Sequence, residues 1–173
     1  DGALAITLDS TLNSSGRQNT LEFGRQFDLP TGALDVSLGA VQSDGSSAEP
    51  IGRVFYQRDF VRSSFDLELS RSVSFSETLS QTTETTRLNM GYDLELSPIS
   101  SVAFDLMFAD VNAPDMTSGR ERGTLTATYS RNLTEDWAMT LGLEHRSFKS
   151  DTGTDAESNG IFFRLAREFQ ARR

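Results

Sequence analysis

The sequence predicts an all-β chain, an antiparallel up-and-down transmembrane β-barrel of about ten strands with lipid outside its wall and water inside. Three observations carry this prediction. Apolar and polar residues alternate strictly, one short phrase closes every second segment, and short and long connections take turns between the segments. Side chains point to opposite faces along a strand, so period two sorts a wall into an apolar and a polar side. A repeating hairpin sorted in this way is the pattern of a membrane barrel.

Ten alternating segments can be drawn, at 3–12, 19–29, 33–42, 51–61, 65–76, 86–97, 101–111, 122–133, 137–149 and 160–169. The second sets Leu21, Phe23, Phe27 and Leu29 against Glu22, Gly24, Gln26 and Asp28. In the third, Leu34, Val36 and Leu38 oppose Asp35, Ser37 and Gly39. The fifth sets Phe65, Leu67, Leu69, Val73 and Phe75 against Asp66, Glu68 and serines, and the sixth sets Leu88, Met90, Tyr92 and Leu94 against Arg87, Asn89, Gly91 and Asp93. Such alternation calls for strands, not helices.

The closing phrase is an apolar residue, a spacer, Arg or Tyr, a polar residue, then Phe or Leu. It occurs as Phe23-Gly-Arg25-Gln-Phe27, Tyr56-Gln-Arg58-Asp-Phe60, Met90-Gly-Tyr92-Asp-Leu94, Tyr129-Ser-Arg131-Asn-Leu133 and Leu165-Ala-Arg167-Glu-Phe169. Between the segments, Pro30-Thr31-Gly32, Arg62-Ser63-Ser64, Pro98-Ile99-Ser100 and Thr134-Glu135-Asp136 read as tight hairpin turns. The others, over 13–17, 43–50, 78–85, 112–121 and 150–159, are longer and polar. That arrangement predicts short periplasmic turns and longer extracellular loops, with both ends of the chain at the turn rim. Lipid tolerates no open edge, so the first strand, around Leu4, Ile6 and Leu8, is expected to close on the last, around Ile161, Phe163 and Leu165.

Composition narrows the classes. The 173 residues fit one barrel domain over 1–173, or part of a larger barrel. Apolar residues make up 36% of the chain, which a membrane barrel tolerates because only alternate positions face lipid. Apolar runs such as Ile161-Phe162-Phe163 are far too short for a spanning helix. Cysteine is absent and the net charge is −9, which leaves no thiol chemistry and argues against a nucleic-acid partner.

Arg25, Arg58, Tyr92, Arg131 and Arg167 share the parity of the apolar residues. An arginine on the lipid face costs about 2–4 kcal/mol at the bilayer midplane but about 0–1 near the interface. Two residues before a strand's last Phe or Leu, these side chains reach phosphate, so they are expected to form a lipid-headgroup belt with Trp137 as an aromatic neighbour. Arg71 sits deeper on the same side; either a bulge turns it inward or a neighbouring subunit covers that wall.

The polar side is expected to carry the acids Asp28, Asp35, Asp59, Asp66, Glu68, Asp93, Glu95 and Glu168, with the lumen-facing bases Arg53, Arg87, Arg146 and Arg164. Unpaired buried charge is costly to keep dry, so an acidic, hydrated lumen follows. Ten strands make it narrow. Catalysis is not expected: His145 and Glu144 point to opposite faces, and Asp105 and Asp110 have no partner whose geometry the sequence fixes. The acidic loop Asp151-Thr-Gly-Thr-Asp155-Ala-Glu157 lacks the ligand spacing of a calcium loop. No metal or cofactor is expected.

The final segment, Asn159-Gly160-Ile-Phe-Phe163-Arg-Leu165-Ala-Arg167-Glu-Phe169, resembles the C-terminal signal read by the barrel assembly machinery, with Phe163, Leu165 and Phe169 as its apolar positions. It departs from that signal by continuing with Gln-Ala-Arg-Arg. Tyr129-Ser-Arg-Asn-Leu-Thr-Glu-Asp-Trp137, with the hairpin after it, resembles the last hairpins of proteobacterial outer-membrane barrels associated with exopolysaccharide export. That resemblance implies a location in the Gram-negative outer membrane. It also implies as partners outer-membrane lipids, lipopolysaccharide and the assembly machinery, with a homo-oligomer or an envelope protein as further candidates. The expected role is a narrow porin-like conduit. A non-transporting anchor or structural component of an envelope assembly is the alternative, and a soluble β-sandwich binding domain the second.

Overall fold

The computed structural model describes residues 2–13, 16–43, 47–76, 81–113, 118–151, 153 and 155–167. Its elements are all strands: β1 (Leu4–Asn13), β2 (Gly16–Leu29), β3 (Gly32–Ser43), β4 (Glu49–Asp59), β5 (Ser63–Ser76), β6 (Gln81–Ser97), β7 (Ser100–Ala113), β8 (Ser118–Asn132), β9 (Trp137–Ser150) and β10 (Ala156–Arg167). They form one 10-stranded sheet in sequence order, every ladder antiparallel. This is the up-and-down order that alternating hairpins dictate. The register is continuous except for one irregularity between Glu95 and Ser97, just before the Pro98 turn.

Two features differ from expectation, and a third bears on the sandwich alternative. The strands run further than the apolar alternation marks, so at the loop rim the connections shrink to 14–15, 44–48, 77–80, 114–117 and 151–155. Thr is β-branched and a good strand residue, and Thr82, Thr83, Thr85 and Thr86 extend β6 where polarity alone reads as loop. The sorting of connections by length is therefore mostly strand extension.

The second difference is closure. Among the described residues β1 pairs only with β2 and β10 only with β9, so their sheet is an open ribbon and the expected β1–β10 seam is not formed. Each ladder present joins sequence neighbours, which a short connection holds together. The seam is the single pairing that no connection enforces.

The third feature bears on the sandwich alternative, which requires two packed layers around a dry core. Here there is one sheet, and the buried apolar residue among those described is Val41. The accessible surface is 12269 Å², against about 8,400 Å² for a compact soluble chain of this mass. Leu21, Phe23, Leu88 and Phe163 do not gather in a core; Phe23 is 51% and Phe163 63% exposed.

Candidate functional site: two faces of one sheet

Residues paired across a ladder stand side by side on the same face, so the register assigns every position. One face carries Leu4, Ile6 and Leu8 beside Arg25, Phe23 and Leu21, which continue to Val36, Leu38 and Ala40. Across the middle it runs Leu67–Met90–Leu106–Leu125, and at the far edge Leu141 faces Phe163 and Leu143 faces Ile161. This apolar face is exposed most at its two edges, Leu8 at 79% and Ile161 at 78%, and half-buried at Leu67, Met90 and Leu106 across the middle.

All five belt positions lie on it. Arg25 is opposite Leu4 and Val36; Arg58 and Tyr92 flank Phe65; Arg131 is opposite Ser100 and Met139; Arg167 is opposite Trp137. The Arg25 guanidinium carbon lies 4.6 Å from the Phe27 ring, that of Arg58 5.0 Å from Phe60, and that of Arg167 5.5 Å from Trp137. Phe27 and Phe60 are the turnward neighbours of their arginines on this face, so both guanidinium groups lean toward the turn rim.

Arg71 also stays on the apolar face. It is opposite Gly52 and Thr86 in unbroken register, which removes the bulge, and its Nη2 donates to Glu84 Oε2 at 2.6 Å. Sequence reasoning missed Glu84 because it placed 78–85 in a loop. Farther along the same border Thr86 faces Asp110, Asp110 faces Glu121 and Glu121 faces Lys149. The apolar band thus ends on a polar border at its loop side.

The other face is polar. Asp28 and Asp35 stand on β2 and β3, and Asp59, Asp66 and Glu68 follow on β4 and β5. Asp93, Glu95, Asp105 and Glu144 lie beyond. Arg53, Arg87, Arg146 and Arg164 share this face, as expected by parity. Arg53 Nε donates to Glu68 Oε1 at 2.9 Å and its guanidinium lies 5.2 Å from the Phe55 ring; Arg146 Nη2 donates to Glu144 Oε2 at 2.9 Å. The register adds Arg120, which the segment starting at 122 left in a loop, and Arg122, which lies inside that segment with the parity of Thr124 and Thr126 and was not named among the lumen-facing bases. Phe163 and Leu165 of the terminal signal lie on the apolar face; Glu168 and Phe169 lie outside the described residues.

His145 faces Leu125 and Asn159 on the apolar side, its Nδ1 2.8 Å from Asn159 Oδ1, while Glu144 is on the other face. At the loop rim Asp151 Oδ2 accepts from the Gly119 amide at 2.7 Å. Among the described residues, no group of three or more His, Cys, Asp or Glu side chains is placed to hold a metal ion. Compared with known proteins, the chain matches no family model and no curated sequence.

Proposed function

We propose that the chain forms a transmembrane β-barrel of a Gram-negative outer membrane, with β1 and β10 joined and the polar face lining a narrow hydrated conduit. The observation that carries this reading is the uncovered apolar face, continuous from Leu4 to Phe163. Monomeric soluble proteins rarely expose apolar patches beyond a few hundred Å². Lipid is the solvent that suits a face of this extent.

Dimensions support it. Tyr92 to Glu84 on β6 and Tyr129 to Glu121 on β8 enclose Leu88, Met90, Leu125 and Ala127, the central part of the apolar face. That length of strand rises about 26 Å, or about 20 Å when tilted, close to the roughly 25 Å apolar band of such barrels. The turnward lean of Arg25 and Arg58 is the direction a snorkelling arginine takes toward headgroups. Phospholipid and lipopolysaccharide are then the lateral partners, and the assembly machinery the one met on the way in.

On the inner face the acids outnumber the arginines, so water and cations enter more readily than anions. The ion pairs Arg53–Glu68 and Arg146–Glu144 favour a second reading, in which they brace the wall of a silent anchor. Single-channel recording on protein that shows heat-modifiable migration separates the two. Cation-selective steps are expected; silence from folded barrels would leave the anchor.

A further inference from the structure

Across the strands, one row of the polar face reads Ser37, Arg53, Ser70, Arg87, Ala109, Arg122. Arginine recurs on β4, β6 and β8, with Ser or Ala on the strands between. Neighbouring strands are about 4.8 Å apart, so the arginine positions repeat at about 10 Å. Their surroundings differ sharply along the strand direction. Turnward stand Asp66, Glu68, Asp93, Glu95 and Asp105. Loopward, on β5 to β8, come Ser72, Ser74, Thr83, Thr85, Val111 and Arg120, which are four hydroxyls, a valine and one more arginine, with no carboxylate.

Within this row Arg53 is held by Glu68. Arg87 and Arg122 are exposed and make no ion pair with the described residues. Ala109 separates them, and Arg120 lies two residues loopward of Arg122 on the same strand. Guanidinium groups bind carboxylate or phosphate through paired N–H donors, and the nearby hydroxyls supply further hydrogen bonds. A small anion reaches one arginine. A chain bearing an anionic group every 5 or 10 Å reaches both, and its second contact forms at high effective concentration.

We propose that Arg87, Arg122 and Arg120 form a binding site for a linear oligoanion, carboxylate- or phosphate-bearing, laid across β6 to β8. This rests on the reading of the polar face as water-facing. It also makes the polar face of β5 to β8 bipolar, cation-attracting near the turns and anion-binding near the loops, while on β1 to β4 Asp9, Glu22 and Glu49 keep the loopward side acidic.

The test is calorimetric titration of the protein folded in detergent micelles, at low salt, with an oligouronate and separately with a polyphosphate of matched length. Both are expected to bind, and added salt should weaken each. Binding of only one would name the anionic group and keep the site. The double variant Arg87→Gln/Arg122→Gln should bind at least tenfold more weakly, and Arg164→Gln, turnward on the same face, should bind like the unaltered protein. If the double variant fails to fold, as judged by gel migration, the two single variants carry the comparison. No binding by the unaltered protein in either arm, or an equal loss in Arg164→Gln, would overturn the proposal. An electrically silent protein that still binds would remove the conduit and leave this site; a conducting one that binds neither probe would do the reverse.

Discussion

Arg71 and Glu84 close a 2.6 Å ion pair between β5 and β6 on the apolar face, where a lone charge is least welcome. The Glu84 carboxylate is the more enclosed partner, with 16% of its side chain exposed against 42% for Arg71. In the proposed barrel, removing the acid would leave a guanidinium against lipid near the edge of the band. Glu84→Gln should lower stability in phospholipid vesicles by about 1–2 kcal/mol, read from urea unfolding. Arg71→Leu/Glu84→Leu should recover most of that loss, because it removes both charges at once. Additive losses in the double variant would show that the two residues are not coupled.

The belt makes a separate prediction about lipid. Each cationic side chain near an anionic surface contributes about 1 kcal/mol. Arg58→Glu should therefore slow folding into vesicles containing phosphatidylglycerol more than into vesicles of phosphatidylcholine alone. The control is Arg164→Glu, which keeps the charge change but sits on the polar face. Arg53→Glu would be a poor control, since Arg53 is bound to Glu68 and reversal would place two carboxylates together. A lipid-independent effect of Arg58→Glu would dismiss the belt.

Much of this fold was legible in sequence because hairpin order and face assignment are local properties. Parity placed Arg25, Arg58, Tyr92, Arg131 and Arg167 with the apolar residues, and every ladder agrees. What escaped depends on strand ends and on pairs across strands. Glu84 and Arg120 sit where alternation turns to hydroxyls and charges, so hydropathy read them as loop. Phe162 was read only as part of an apolar run, yet it lies on the polar face opposite Gly142. That contact follows from register, which no single segment discloses.

Phe162 over Gly142 yields a prediction of its own. A Cβ on Gly142 would lie 2.1 Å from Phe162 Cζ, so the ring occupies the space that glycine leaves. Aromatic cover of a strand glycine pins register near an edge. Gly142→Val should expel the ring and cost about 1–3 kcal/mol, with faster hydrogen exchange in β10 than in β5. Phe162→Ala should cost less, and Gly142→Val/Phe162→Ala less than the sum. If exchange in β10 were unchanged by Gly142→Val, the ring would not be holding that strand.

Closure can be tested directly, because the chain has no native cysteine to confuse a disulfide scan. β1 and β10 run in opposite directions, so they can meet as an antiparallel pair. Their polar-face positions are Ala5 and Thr7 on one side and Gly160 and Ala166 on the other. Cysteines placed pairwise at these sites cross-link only where Cα atoms come within about 6 Å. A single self-closing barrel predicts intrachain disulfides, detected as faster gel migration, at one register and only between residues of matching face. Any one-residue slip would turn the apolar set of β1 into the lumen, so mixed-parity pairs such as Ile6→Cys with Gly160→Cys should stay reduced. Cross-links found only between chains would instead mean that two copies share a larger barrel, each ribbon supplying half the wall.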